Sequence, residues 1–99
     1  MIRHIVLYWL KEPNNDELIQ ETIEKFLSMR DKIPGLLRIE AGQDVLHSPR
    51  SCDLCLCTVF ESLSALESYR KHPVHLPVQA HMHAIIERSA SADFEVTEL

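Results

Sequence analysis

The sequence predicts an α+β fold in which four antiparallel strands form one sheet and the helices cover one face of it. Segments with strand and helix patterns follow one another in the order β-α-β-β-α-(α)-β, so a strand-helix-strand unit occurs twice. A chain of 99 residues can fill only one hydrophobic core, so residues 1–99 are expected to form a single domain. This order of elements is that of the split, ferredoxin-like arrangement.

The first half of the chain supplies a strand, a helix and a second strand. The run HIVLYWL is rich in β-branched and aromatic residues, which favours a strand that ends at Pro13. Asn14 with Glu17 three residues later is an N-capping pattern, and apolar residues then recur at helical spacing from Ile19 to Ile33. Pro34-Gly35 ends this helix, and alternation over residues 37–41 predicts the second strand.

The second half repeats the pattern. The run CDLCLCTVF over residues 52–60 predicts the third strand, and Ser62 or Ser64 can cap the helix that follows. That helix must end near His72, because a residue before proline avoids helical geometry. We expect a third helix over residues 76–87 and a last strand within residues 91–99.

The two strands expected in the middle of the sheet are apolar on both faces. In the first of them, one face carries Ile5, Leu7 and Trp9 and the other carries Val6, Tyr8 and Leu10. Helices on one side cannot cover both faces, so we predict a homodimer in which two sheets pack together as a dimeric α/β barrel. Alternatively, the long loop after the second strand and the third helix cover the remaining apolar face.

Composition narrows the class of protein. The formal net charge is −5 and no cluster of Lys or Arg is present, so neither a nucleic acid nor a membrane surface is an expected partner. The apolar start of the chain is too short for a signal peptide or a membrane span, which predicts a cytoplasmic protein. Three cysteines, an odd number, fit free thiols in a reducing compartment.

The segment YRKHPVHLP is the most promising candidate site. Its residues His75 and Tyr69, together with His4 on the first strand, can supply a general base, an orienting phenol and a second imidazole. If the face of His4 is turned away from the helices, these groups border a cavity between two sheets. The alternative is structural, because histidines at helix ends often cap free carbonyls and tyrosines often pack.

A metal or cofactor site is not expected. Cys55 and Cys57 lie two apart on one strand, which is not a zinc-binding spacing, and His81 and His83 diverge on a helix. The cysteines are expected to be small core residues.

Three stretches, IRHIVLYWL, IPGLLRIEAGQD and RSCDLCLCTVFESLSALESYRKHPVH, give the chain a resemblance to the stress-responsive A/B barrel (Dabb) family. The resemblance covers residues 2 to about 85 and implies a ferredoxin-like protomer in a dimeric α/β barrel. Most members of that family have no assigned activity. One distant member is a plant polyketide cyclase that makes olivetolic acid.

By resemblance to that cyclase, His75 is the base of an aldol ring closure, and Tyr69 and His4 assist it. The resemblance also suggests a bulky, uncharged ligand site lined by Tyr8, Trp9, Leu56 and Phe60, with His72 beside it. The sequence thus predicts a small apolar carbonyl or aromatic ligand, with lyase, cyclase or isomerase chemistry and no cofactor. The alternative is a non-catalytic stress or assembly protein, while a heme-handling or monooxygenase relative has only fold analogy behind it.

Overall fold

The computed structural model describes all 99 residues and contains four strands and three helices. In chain order they are β1 (Ile2–Leu10), α1 (Asp16–Leu27), β2 (Leu36–Gln43), β3 (Leu54–Phe60), α2 (Leu63–Lys71), α3 (His75–Ile85) and β4 (Ile86–Glu95). The predicted order, including the third helix, is confirmed. None of the helices has the length and apolar character needed to span a bilayer.

The strands form one antiparallel sheet in the order β2-β3-β1-β4, so β1 and β3 lie in the middle as expected. Ile5 of β1 stands opposite Cys57 of β3 and Ala92 of β4. Since side chains alternate between faces along each strand, this register assigns every residue of the sheet to one of two faces.

The inner face of the sheet, which we define as the face covered by the helices, carries the hydrophobic core. β1 and β3 contribute Tyr8, Leu10, Leu54 and Phe60, all buried. The helices pack on them with further buried side chains, namely Ile19, Phe26, Leu66, Tyr69, Val78 and Met82. Burying each large apolar side chain contributes roughly 1.5–3 kcal/mol, so this layer accounts for most of the stabilising burial in a single chain.

The outer face, on the opposite side, has no covering layer within the chain. Its middle is apolar and consists of Ile5, Leu7, Cys55, Cys57, Ala90, Ala92 and Phe94. Phe94 is 46% exposed, although it is a large apolar residue. Helix α3 packs on the inner face instead, where Val78 and Met82 meet Tyr8. The alternative in which the third helix covers the outer face is therefore wrong.

Element boundaries differ from the sequence expectation at several places, and α1 ends at Leu27 rather than at the expected stop at Pro34-Gly35. The side chain of Asn15, not Asn14, caps α1 by accepting a hydrogen bond from the backbone N–H of Leu18 at 3.1 Å. Helix α3 ends at Ile85 and β4 begins at once, because Ile86 and Arg88 pair with Leu10 and Trp9 of β1. Pairing with a central strand outweighs the helical spacing of the apolar residues in that segment.

Gly35 sets how closely β2 approaches α2. Its φ is +82°, and a Cβ atom added there would lie 2.6 Å from the Cβ of Ala65. Only glycine combines this left-handed backbone with so close an approach. The Pro34-Gly35 pair does not end α1, which already stops at Leu27, but Gly35 lets α2 pack closely against the start of β2.

Candidate ligand-binding site

A cavity of about 180 Å³ lies between the inner face of the sheet and α3. Its walls are mainly apolar and include Val6 and Tyr8 of the sheet, Phe26 of α1, and Val78 and Met82 of α3. His75 and Tyr69 also line it. No Lys, Arg, Asp or Glu is among its lining residues, so the cavity suits an uncharged compound.

His75 is the first residue of α3, just past the turn that Pro73 makes after α2. Its ring atom Nδ1 lies 3.3 Å from the backbone carbonyl oxygen of Arg70. A carbonyl oxygen can only accept, so Nδ1 carries the proton and donates it. When the ring is neutral, Nε2 therefore carries the lone pair, and no protein group hydrogen-bonds to it.

The environment of His75 favours the neutral ring. Burial lowers its pKa below the usual value of 6.5, and the hydrogen bond to the Arg70 carbonyl opposes this shift in part. Electrostatic interaction with the nearby His4 and Arg70 side chains lowers the pKa of His75 further. An imidazole with a depressed pKa and a free Nε2 has the features required of a general base at neutral pH.

Tyr69 stands one helical turn before His72 and packs against His75. The centroids of the Tyr69 and His75 rings are 4.1 Å apart, and the ring of Phe60 lies 5.0 Å from Tyr69 on another side. Burial raises the pKa of the Tyr69 hydroxyl to about 12, so the phenol stays protonated and can donate a hydrogen bond at neutral pH.

His4 approaches the same cluster from β1. Its ring centroid is 6.5 Å from that of Tyr69, and its Nδ1 lies 2.5 Å from Oδ1 of Asp93 on the neighbouring strand β4. The carboxylate accepts the Nδ1 proton and fixes the ring. His4 is on the inner face, so the cavity lies between sheet and helices of one protomer and not between two sheets. The sequence predicted this cavity between two sheets if the face of His4 was turned away from the helices, and that condition is not met.

Sequence reasoning did not find Asp93. In the sequence it is one of several polar residues on a strand with one wet face. Its pairing with His4 depends on the β1–β4 register, in which the two residues stand directly opposite each other. The feature of the sequence that could have indicated Asp93 is an acidic residue on a strand that must lie next to β1.

Of the other residues that the sequence analysis proposed for the site, only some lie at the cavity. Tyr8 lines the cavity, as expected for a ligand-binding residue. His72 accepts a hydrogen bond at Nδ1 from the N–H of Val74 at 3.1 Å, which shapes the turn between α2 and α3. Leu56 and Phe60 are buried in the core beside the cavity and do not line it. Trp9 lies on the outer face, under the guanidinium of Arg88, and cannot line it.

His81 links two helices. Its Nε2 lies 2.8 Å from the hydroxyl of the fully buried Thr22 on α1, and that hydroxyl donates its own proton to the Leu18 carbonyl at 2.8 Å. Nε2 of His81 is therefore the donor. This bond ties α3, one wall of the cavity, to α1.

A larger groove of about 500 Å³ lies at the far end of the sheet, near the β2–β3 loop. It is open and polar, and its acidic groups are already engaged. Asp44 accepts a hydrogen bond from the N–H of His47 at 2.7 Å, which holds the pKa of the Asp44 carboxyl below its usual value, and Asp53 accepts one from the N–H of Leu10 at 2.8 Å. These groups build turns, so the smaller cavity with His75 is the better candidate site.

The fold and the cavity define a class: a ferredoxin-like protomer with an uncharged pocket between its sheet and its helices. The model of the stress responsive A/B barrel domain matches residues 2–96. The chain therefore belongs to the Dabb family, as the resemblance predicted. The comparison with proteins of curated function gives no match.

Several solved structures share the fold. A dimeric protein of unknown function from Bacteroides fragilis is 23% identical, with a TM-score of 0.83, and the match covers 96% of this chain and 95% of that one. A Dabb family protein from Mesorhizobium loti is 20% identical, with a TM-score of 0.80 and coverage of 98% and 97%. Hydroxynitrile lyase from Passiflora edulis is 16% identical, with a TM-score of 0.83 and coverage of 99% and 94%.

Proposed function

We propose that this protein is a homodimer in which each protomer binds a small, uncharged carbonyl or aromatic compound in the helix-side cavity. His75 acts there as the base or hydrogen-bonding anchor, while Tyr69 donates a hydrogen bond and His4 assists. The observation that carries the proposal is the free Nε2 of the half-buried His75, whose pKa is lowered by burial, at a mainly apolar cavity.

Proton transfer next to a carbonyl group is the chemistry that suits these residues. Nε2 of His75 would accept the proton, and the phenol of Tyr69 would donate a hydrogen bond to the oxygen on which negative charge develops. A protonated phenol is effective in this role because burial keeps it from ionising at neutral pH. Aldol closure and the isomerisation of a carbonyl compound both begin with removal of a proton from the carbon next to the carbonyl group.

The hydroxynitrile lyase with the same fold adds a related reaction to test. To cleave a cyanohydrin, a base removes the hydroxyl proton, the bond from carbon to the nitrile breaks, and an aldehyde and cyanide form. The base then returns its proton to cyanide. An imidazole such as that of His75 can carry out both proton transfers without a cofactor.

The outer face of the sheet supports the homodimer. Its middle is apolar and uncovered, and it is bordered by Arg3, Arg38, Glu40 and Arg88. An apolar centre with a charged rim is the anatomy of a protein interface. A second copy of the chain offers the same surface, and structures with this fold from Bacteroides fragilis and Thermobifida fusca are described as dimeric.

Two substitutions at His75 separate a chemical role from a structural one. In His75→Asn the amide nitrogen takes the place of Nδ1 and can still donate to the Arg70 carbonyl, whereas Nε2 is lost. His75→Gln places its amide near Nε2 and loses the Arg70 contact. The assays are exchange of deuterium from D₂O into phenylacetaldehyde, α to its carbonyl group, and cleavage of the cyanohydrin of benzaldehyde.

We expect His75→Asn to fold and melt like the wild type while the rate falls by about 10²-fold or more. No catalysed rate in the wild type, together with no binding of either compound, would overturn the proposal. The non-catalytic alternative, a stress or assembly protein, predicts instead that substitutions at His75 change only the melting temperature or the dimer.

A further inference from the structure

The cavity has further polar lining residues that the proposed chemistry does not use. They are Gln79 and His83, which follow the half-buried His75 at intervals of four residues along α3, and Ser89 of β4. We call these three residues the polar mouth. All three are exposed, and none of their side chains hydrogen-bonds to another protein group.

The fold places the three side chains together for identifiable reasons. Gln79 and His83 are four residues apart on α3, so they lie one turn apart on the same side of the helix. Ser89 pairs with Tyr8 of β1 and therefore lies on the inner face of β4. β4 is an edge strand that is exposed along almost its whole length, so Ser89 is accessible to solvent beside the cavity.

The chemistry of the mouth selects the kind of group that would bind there. A primary amide and a hydroxyl each donate and accept hydrogen bonds, and so does a neutral imidazole through its two nitrogens. None of the lining residues is Lys, Arg, Asp or Glu, and the chain has a formal net charge of −5. A carboxylate at the mouth would have no lysine or arginine partner there.

We infer that the ligand of this cavity is a neutral compound with two polar ends, whose carbonyl group meets His75 and Tyr69 and whose second end is a hydroxyl group bound by Gln79, His83 and Ser89. The inference rests on the proposed function, since it concerns the same cavity. The size of the cavity limits the body of the ligand to about one six-membered ring. A cavity of about 150 Å³ in another protein holds benzene, and this one measures about 180 Å³ and is partly open.

Three benzaldehydes test the inference by titration of the isotope-labelled protein, followed by NMR. They are benzaldehyde itself, 4-(hydroxymethyl)benzaldehyde and 4-formylbenzoate. A net gain from one hydrogen bond to the hydroxyl group corresponds to an affinity about three- to tenfold higher than that of benzaldehyde. We expect this gain for the hydroxymethyl compound and weaker binding than benzaldehyde for the carboxylate.

Substitutions in the polar mouth test whether its residues cause the gain in affinity for the hydroxymethyl compound. In Gln79→Leu, His83→Phe and Ser89→Ala the ratio of the affinity for the hydroxymethyl compound to the affinity for benzaldehyde should shrink toward one. A merely structural role would change the affinity for both probes alike. His47→Phe, on the exposed β2–β3 loop, is the matched control and should keep the full advantage.

Each outcome decides between the two proposals. If benzaldehyde binds but the hydroxymethyl group adds nothing, or if its gain survives all three substitutions, the mouth is not a binding site and the proposed function stands. Tighter binding of 4-formylbenzoate would overturn the preference for a neutral ligand. If no probe binds, this inference and the proposed function both fall. The comparison of probes on the wild type is decisive even where a variant does not fold.

Discussion

His4 and Asp93 stand directly opposite each other on β1 and β4, with Nδ1 of the histidine 2.5 Å from a carboxylate oxygen of the aspartate. The side chain of His4 is 11% exposed and that of Asp93 is 32% exposed. An edge strand thus provides the partner for a nearly buried imidazole of the central strand, and it does so beside Tyr69.

Replacement of Asp93 should therefore cost stability. Asp93→Ala removes the acceptor of a nearly buried N–H group, and we expect the free energy of unfolding to fall by about 1–3 kcal/mol. Asp93→Asn keeps an oxygen that can accept the same proton and should cost less. Denaturation by urea, with Glu95→Ala on the same strand as the control, measures both changes. Equal stability of Asp93→Ala and wild type would show that the pair contributes nothing.

The link between Thr22 and His81 makes a second prediction about the cavity wall. Thr22→Val keeps the shape of the side chain but removes the hydroxyl that accepts from His81, so the unfolding free energy should fall by about 1 kcal/mol. Thr22→Ser retains the hydroxyl and is the matched control. Hydrogen exchange should show faster exchange of α3 amides in Thr22→Val. Unchanged exchange in α3 would mean that the bond does not hold the wall in place.

The stability of the fold should depend on pH in a defined direction. The pKa values of His75 and His81 are both lowered from 6.5, mainly by burial, so the unfolded chain binds protons that the folded chain does not. Stability from this source is complete above pH 6.5 and is lost as the pH falls through the lowered pKa values. Urea denaturation between pH 5 and 7.5 measures it, and His81→Gln should flatten the slope. A protein that becomes more stable as the pH falls through this window contradicts the placement of both rings.

In the proposed homodimer, a charge on the outer face should separate the protomers. Leu7→Asp places a carboxylate in the middle of the apolar surface, and burying it without a partner costs several kcal/mol, so we expect a monomer. Leu63→Asp makes the same change on the exposed side of α2, where the leucine is 60% exposed, and should leave the dimer intact. Light scattering after size-exclusion chromatography measures both masses. A wild-type monomer at tens of micromolar would refute the interface.

Local spacing was enough to predict part of the site. Tyr69 and His75 lie on either side of one turn, and Pro73 marks that turn in the sequence. The face of His4 could not be predicted, because β1 is apolar on both faces and alternation alone does not say which one the helices cover. The pairing of Asp93 with His4 could not be predicted for a related reason. The two residues lie 89 positions apart along the chain, and only the strand register brings them together.

The boundary between α3 and β4 shows the same limit. Ile85 and Ile86 fit the apolar spacing of a helix, so the sequence pattern extends the helix to Glu87. The structure ends it at Ile85, because the next residues pair with the end of β1. The pairing of β4 with β1, and not the local apolar spacing, determines where α3 ends. The same pairing places Ser89 at the cavity.

The most direct test of the account is the protonation of the His75 ring, observed by ¹⁵N NMR of protein with labelled histidines at pH 7. We predict a neutral ring with the proton on Nδ1, an unprotonated Nε2, and a change in the Nε2 signal when benzaldehyde is added. His75→Asn identifies the signal by its loss. A charged ring at pH 7, a proton on Nε2, or an Nε2 signal that does not change when benzaldehyde is added would contradict the proposed role of His75 as the base of this cavity.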